Sequence, residues 1–286
     1  MDFSIVVPFF NAEKFIERCV QALVAQTFPA DRYEILMVDN NSQDSSAGIV
    51  RRFERVKLLQ ETEQGSYAAR NRGIQDARGS IVAFTDPDCV PREDWLEQIG
   101  RAMAQPDAGL VLGERQFASD SGILGRLAGY ESGLAARIFA SRRVECYFAY
   151  TNNMAVRMSI LKALGGFQKL ARGADTLLLR RVADLYGESA VQYTPDMMVR
   201  HLEIASVRDY LRKKTIYGQL HRNPELGAPL SLPLATRLEL ALRTNRECHG
   251  SLAETIGFFG ILAAGAIRFE WCAARARTIG LPDLKP

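Results

Sequence analysis

Apolar and polar positions along this chain fall into two regimes. In the first, short apolar runs alternate with stretches of helical period. Phe3–Pro8 precedes Phe15, Ile16, Cys19, Val20 and Leu23; Tyr33–Val38 precedes a polar helix from about Ser45 to Glu54; Val56–Leu59 precedes Ser66–Ala77; and Ile81–Phe84 follows Gly79. Short β-branched runs between turn residues predict buried strands, and the 3.6-residue recurrence predicts helices lying on them. Asn11 stands where the first helix would take its N-cap. This alternation implies a mainly parallel sheet flanked by helices on both faces. Further on, the pattern predicts helices at Trp95–Met103, Gly122–Ala140, Ser159–Leu164 and Asp175–Tyr186, with short strands at Gly109–Leu112, Asn153–Val156, Ala190–Tyr193 and Met197–Arg200. From Ser206 the second regime is almost wholly helical, broken by a Pro/Gly-rich hinge, "NPELGAPLSLP".

With 286 residues, 47% of them hydrophobic and 24% charged, the chain can build one large α/β domain or two modest ones. Its net charge of +3 is too small for a dedicated nucleic-acid binder. The charge is uneven: residues 200–286 hold 13 Lys/Arg against 8 Asp/Glu, leaving 23 against 25 before them. Five scattered cysteines without a CxxC pair fit reduced thiols in the cytosol and disfavour zinc or a disulfide framework. No basic region or small-residue cleavage site opens the chain, so no secretory leader is expected. "TIGFFGILAAGAI", Thr255–Ile267, runs 13 residues without a charge. A spanning helix needs about 20, so this stretch reads either as a packing helix or as one lying in a membrane interface, flanked by Arg268, Trp271, Arg275 and Arg277.

Ligands of open parallel sheets bind beyond the carboxyl ends of the strands. Three polar clusters fall there: Pro8 to Asn11, "DNNSQDSS" from Asp39, and "TDPDC" from Thr85. Neither GxGxxG nor GxxxxGK[ST] occurs, so a nucleotide here would need another cradle. Asp86 and Asp88 offer one, because a hard divalent cation takes carboxylates together with phosphate oxygens. The same doublet is not an EF-hand, since Pro91, Arg92 and Trp95 follow where oxygen ligands and a glycine would be required. Trp95 itself could floor a sugar site or fill the core.

The motifs "SIVVPFFNAEKFIERCVQAL", "QTFPADRYEILMVDNNSQDSS", "GSYAARNRGIQDARGSIVAFTDPDC" and "TNNMAVRMSILKALGGF" stand in an order that resembles the family 2 glycosyltransferases with the GT-A fold, over about residues 3–203. The resemblance implies a catalytic domain of residues 1–203, with a donor half to about 113 and an acceptor half over 114–203; the helical region over 204–286 is read from its own pattern and lies outside the resemblance. The resemblance also implies that Pro8 and Asn11 shape a nucleotide pocket, that Asp39 accepts a hydrogen bond from the base, typically uracil, and that Arg70 and Asn71 belong to the donor-binding helix. Asp86 and Asp88 match the DxD that holds ribose and the metal–diphosphate, and His201 matches a histidine that completes the shell of Mn2+ or Mg2+. Asp175, shortly after Gly165-Gly166-Phe167, matches the base that deprotonates the acceptor. Two positions depart from the pattern: Asn40 replaces a second acid after the second strand, and Ala174 stands where a Glu usually precedes the base.

The reading that follows is an inverting, metal-dependent transferase using a nucleotide sugar. Its acceptor would be a saccharide or lipid-linked saccharide, as in polysaccharide or glycolipid synthesis. The protein would be cytoplasmic, with its C-terminal helices offering peripheral contact to the inner face of the cell membrane. Two alternatives stay open: a nucleotidyltransferase, which would want a glycine-rich loop that "PFFNAEKF" lacks, and a non-catalytic nucleotide-sugar binding module.

Overall fold

The computed structural model describes residues 1–119, 121–218, 232–248 and 251–278, with side chains as far as Arg275. His221, His249 and most of the hinge lie outside the described residues. Two compact units result, one of residues 1–115 with 139–202, the other of 116–138 with those described from 203 onward. The helix predicted at Gly122–Ala140 therefore falls largely within the second unit.

The sheet has eight strands: β1 (Phe3–Phe9), β2 (Tyr33–Asp39), β3 (Val56–Gln60), β4 (Ile81–Thr85), β5 (Cys89–Pro91), β6 (Leu110–Phe117), β7 (Asn153–Arg157) and β8 (Val191–His201), in the order 3-2-1-4-7-6-8-5. β1 pairs in parallel with β2 and β4, and β2 with β3. Beyond β4 the direction reverses: β7 runs antiparallel to β4 and β6, and β5 antiparallel to β8. All seven residues of β1 are buried, as expected of a strand covered on both faces.

Alternate residues of β1 serve different layers. Ile5, Val7 and Phe9 pack with Ile16, Cys19, Val20 and Leu23 of α1 (Ile16–Val24) and with Trp95, Leu96, Ile99 and Met103. On the other face, a Cβ added at Gly73 would come within 2.4 Å of Val6 Cγ1, so this glycine lets a helix lie directly on the strand. The remaining helices of the first unit are α2 (Ser46–Val50), α3 (Ser66–Asp76, which carries Gly73) and α4 (Trp95–Met103). After α5 (Gly122–Ala140) come α6 (Met158–Leu164) and α7 (Ala174–Tyr186). The second unit combines most of α5 with α8 (Val207–Gly218), α9 (Leu234–Glu247) and α10 (Leu252–Thr278) around Phe117, Leu127, Tyr130, Tyr210, Ala241 and Phe258.

Several expectations need correction. Asn11 does not cap α1, which begins at Ile16 with Phe15 at the N-cap. Asn11 instead takes φ +47°, a conformation its short polar side chain tolerates. The two strands expected near Ala190–Tyr193 and Met197–Arg200 are one strand, β8, whose Pro195 is exposed. β5 was not expected at all. The charge-free stretch also underestimates its helix: α10 has 27 residues, and an 18-residue stretch within Leu252–Arg275 has mean hydropathy 1.5 with 11% of its residues buried. By length and composition that helix could cross a membrane, because it continues through Glu254, Arg268 and Glu270.

Candidate functional site

The first two polar clusters close on each other through their loops. Asn40 N–H donates to Phe9 O at 2.9 Å, which ties the end of β1 to the end of β2. The Asn11 N–H donates to Ser42 Oγ at 3.1 Å and its Oδ1 accepts from Gln43 N–H at 2.8 Å. Ala12 N–H reaches Ser46 Oγ at 2.8 Å, and Glu13 N–H reaches Asp44 Oδ2 at 3.0 Å. Pro8 sits within β1 opposite Val38, and Asp39 ends β2 with Oδ1 accepting from Ser42 N–H at 2.9 Å.

Asn40 has a structural reason to differ from an acid. It is 3% exposed; its Nδ2 donates to Glu61 O at 2.9 Å and Glu63 O at 2.8 Å, and its Oδ1 accepts from Gly65 N–H at 2.7 Å. The amide thus holds the chain between β3 and α3. A carboxylate has no donor for those two carbonyls.

The third cluster is a turn. Cys89 N–H donates to Asp86 O at 3.0 Å, so Asp86-Pro87-Asp88-Cys89 closes with proline in the second position, where its fixed φ belongs. β8 braces the exit: Leu202 N–H donates to Asp88 O at 2.8 Å and Cys89 stands opposite His201 in the β5–β8 pair. Each acid already meets a partner. Asp86 Oδ1 is bound by Arg70 Nη2, and Asp88 Oδ2 lies 3.1 Å from His201 Nε2. Arg70 and His201 are 3% and 4% exposed.

Ligand atoms of Asp88, Cys89 and His201 lie within 4.8 Å of one another, a grouping that could hold a metal ion. Asp86 falls outside this grouping, held by Arg70. Burial, with Asp88 and Asp86 close by, pushes the thiols of Cys89 and Cys19 up, so both keep their protons. A carboxylate and an imidazole then remain as the better donors, a set that suits a divalent cation with room for phosphate oxygens.

Asp175 lies in the first turn of α7, which follows Gly173 at φ +87°. Thr176 N–H donates to its Oδ1 at 2.9 Å. Burial raises its pKa, opposed by that N–H, by the Arg70 charge and by a hydrogen bond from Tyr67, while Asp86 adds to the rise. Arg70 therefore acts on both carboxylate groups, binding Asp86 and stabilising ionised Asp175. Ala174 is 1% exposed, a core position rather than an open one.

Asn71 bonds the backbone of Phe167 both ways, Nδ2 to Phe167 O at 2.8 Å and Oδ1 from Phe167 N–H at 2.9 Å. A Cβ on Gly166, itself at φ +76°, would come within 2.6 Å of Asn71 Oδ1. Asn71 thus clamps the Gly165-Gly166-Phe167 segment to α3. Trp95 is fully buried with Nε1 donating to Asn153 Oδ1 at 2.8 Å, which places it in the core and not at a sugar site. Tyr67 is the residue that the sequence reading passed over. Its signal was present, since it precedes Arg70 by three positions and so shares a helix face with it.

A mixed sheet with an acid turn at the end of β4 and a carboxylate at the start of a later helix defines a GT-A-type fold. The chain belongs to glycosyl transferase family 2, whose sequence profile matches residues 4–165. It is similar to glycosyltransferase AglE of Haloferax volcanii, 33% identical over 189 residues that make up 63% of this chain and 61% of that protein. It is also similar to glycosyltransferase GlyG of Streptococcus pneumoniae, 34% identical over 115 residues, 38% of each chain. The chain thus spans about three-fifths or less of the length of these curated relatives. Among solved structures, its fold is similar to mannosyltransferase PcManGT from Pyrobaculum calidifontis in complex with GDP-Man and Mn2+, with a TM-score of 0.65 and 20% identity, covering 94% of this chain and 87% of that one. It is likewise similar to S. aureus TarS in complex with UDP, with a TM-score of 0.59 and 18% identity, covering 96% and 83%.

Proposed function

We propose that this chain is an inverting, metal-dependent glycosyltransferase, with residues 1–203 as its catalytic part, that moves a sugar from a UDP-sugar to an acceptor hydroxyl. One observation carries the reading: Arg70 binds Asp86 of the acid turn while its charge also stabilises Asp175. A diphosphate end and a proton-accepting end are thereby joined by one buried guanidinium. The complexes of TarS with UDP and of PcManGT with GDP-Man and Mn2+ support a nucleotide and a divalent cation in this fold.

A bound Mn2+ or Mg2+, held by Asp88 and His201 with Asp86 beside them, would neutralise charge on the departing diphosphate. Asp39 accepts an N–H of the base, between the loops that Pro8 and Asn11 shape. Arg70 turns its guanidinium to phosphate oxygens. The Asp175 carboxylate takes the acceptor O–H proton as that oxygen bonds to the sugar carbon. The bond from that carbon to the phosphate oxygen breaks on the opposite face, and its electron pair leaves with the nucleoside diphosphate. A single displacement inverts the sugar carbon. Because burial raises the Asp175 pKa, turnover is lost on acidification earlier than an ordinary aspartate would dictate.

The test separates binding from chemistry. Asp175→Asn should retain calorimetric binding of nucleotide sugar and lose transfer; undiminished transfer removes Asp175 as the base. Asp88→Ala should abolish the metal requirement for UDP binding together with turnover. Metal-independent UDP binding by the unaltered protein would overturn the metal assignment.

The second unit supports a membrane-surface acceptor, a lipid-linked saccharide or growing polysaccharide at the inner face of the cell membrane. Leu234, Leu238 and Leu242 recur every four residues on α9 and are 47–69% exposed. Leu252, Ile256, Ile267 and Trp271 are exposed along α10, with Arg268 and Arg275 beside them. The opposite side of α10 meets α8, where Gly265 faces Tyr210, Leu211 and Lys214. α8 also carries Arg208, Asp209, Arg212 and Lys213. A helix with so charged a neighbour fits the interface better than the hydrocarbon core.

A further inference from the structure

Tyr67 has no part in the roles above. Its side chain is buried, and its hydroxyl accepts the Gly173 N–H at 3.2 Å. The same hydroxyl is among the groups that favour the ionised form of the Asp175 carboxyl. One oxygen thus holds the backbone immediately before α7, the helix whose first turn carries the acid. A hydroxyl has a single proton to give. Gly173 is already a donor and an ionised carboxylate can only accept, so the hydroxyl keeps its proton available to Asp175.

The ring is fixed as firmly as the hydroxyl. Its centroid lies 5.4 Å from that of Phe167, and the Arg70 guanidinium sits 5.5 Å over its face. Tyr67, Arg70 and Asn71 are spaced i, i+3, i+4, so one face of α3 carries all three. Asn71 holds Phe167, Arg70 holds Asp86, and Tyr67 reaches Gly173 and Asp175. Burial and the Asp175 charge push the phenol pKa far up, so its proton stays in place at working pH.

We propose that Tyr67 is a positioning residue for the transfer step, orienting the Asp175 carboxylate and keeping it ionised until an acceptor hydroxyl arrives. The proposal rests on Asp175 being the base. The charged and titratable groups facing Asp175 are Tyr67 and Arg70 from α3 and Asp86 from the acid turn, with the Thr176 N–H from its own helix. Removing the hydroxyl leaves only the Thr176 N–H and the Arg70 charge to oppose burial, so the carboxyl becomes harder to ionise.

The experiment uses the full chain labelled with 13C-aspartate. The Asp175 carboxyl signal is identified by its loss in Asp175→Asn and titrated in the unaltered protein and in Tyr67→Phe, which keeps the ring. The expected result is a midpoint higher by about one pH unit in Tyr67→Phe, the size of one hydrogen bond to a charged group. UDP release from UDP-glucose and UDP-N-acetylglucosamine with Mn2+, water serving as acceptor, should fall at least about tenfold near neutral pH, with UDP affinity unchanged. An unchanged midpoint overturns the proposal, whether or not thermal stability falls. If Tyr67→Phe does not fold, replacement of all tyrosines by 3-fluorotyrosine gives a stronger donor of the same shape. The midpoint should then move down, and no movement is again a refutation. Loss of the base reading is separable: transfer surviving in Asp175→Asn rejects Asp175 as base and leaves the titration result standing.

Discussion

Asn40 shows how much one atom type can decide. Its amide donates to the carbonyls of Glu61 and Glu63 from a nearly solvent-free position. Asn40→Asp would set carboxylate oxygens against those carbonyls, with a cost of at least about 2 kcal/mol at neutral pH. The sign with pH follows from linkage. The introduced carboxyl would bind its proton more tightly folded than unfolded, so stability would fall as pH rises above about 3.9 and through the raised folded value. At lower pH the protonated acid can donate again and most of the loss should vanish. Urea denaturation at acid and neutral pH checks this; an equal loss at both would reject the account. Asp39, Asp86 and Asp88 drew attention in the sequence because they sit at strand ends, whereas Asp175 was singled out only through the family resemblance. The contacts of Asn40 and Tyr67 were not legible there, because their partners lie in other loops: Glu61 and Glu63 for one, Gly173 and Asp175 for the other.

At the level of elements, strong periodicity translated directly. α4 and α5 occupy the residues their apolar spacing predicts, and β1 to β4 differ from expectation by a residue or so at the carboxyl end. What failed depends on neighbours. β5 has only three residues and exists through the pairing of Cys89–Pro91 with Val199–His201 of β8. The end of the polar helix after Ser45 was overestimated because α2 stops at Val50. Close approach between elements is equally hidden. A Cβ at Gly79 would lie 2.5 Å from Phe3 C and Ser4 N, both backbone atoms at the start of β1. Gly79→Ala should therefore cost about 1–3 kcal/mol even though alanine is the smallest change available. The check is a shift in the urea midpoint without a change in slope; no shift would mean that β1 yields more readily than its full burial suggests.

For the whole molecule, the division into two units separates the candidate chemistry from the exposed apolar residues of α9 and α10. Every proposed site residue lies in the first unit, and the exposed leucines of α9 and α10 lie in the second. The charge difference between chain halves foreshadowed this, although helix length was beyond what a charge-free run could measure. The expected outcome is flotation of the full chain with vesicles containing anionic lipid, weakened by salt as the arginine contribution is screened. Replacing Leu252, Ile256, Ile267 and Trp271 together by Ser should abolish flotation while UDP binding persists. Flotation unaffected by that replacement would place the contact elsewhere.

The acid turn also bears on how the protein can be made and stored. Proline closes it, β8 braces it, and Arg70 and His201 already face its two carboxylates. With those partners in place, the turn should reach its folded form without an ion. Purification in a strong chelator should leave the melting temperature unaltered, and a marked drop would mean that the cation is part of the scaffold. On the proposed metal dependence, a cell short of the divalent cation would accumulate idle but intact protein, ready to resume work when the ion returns.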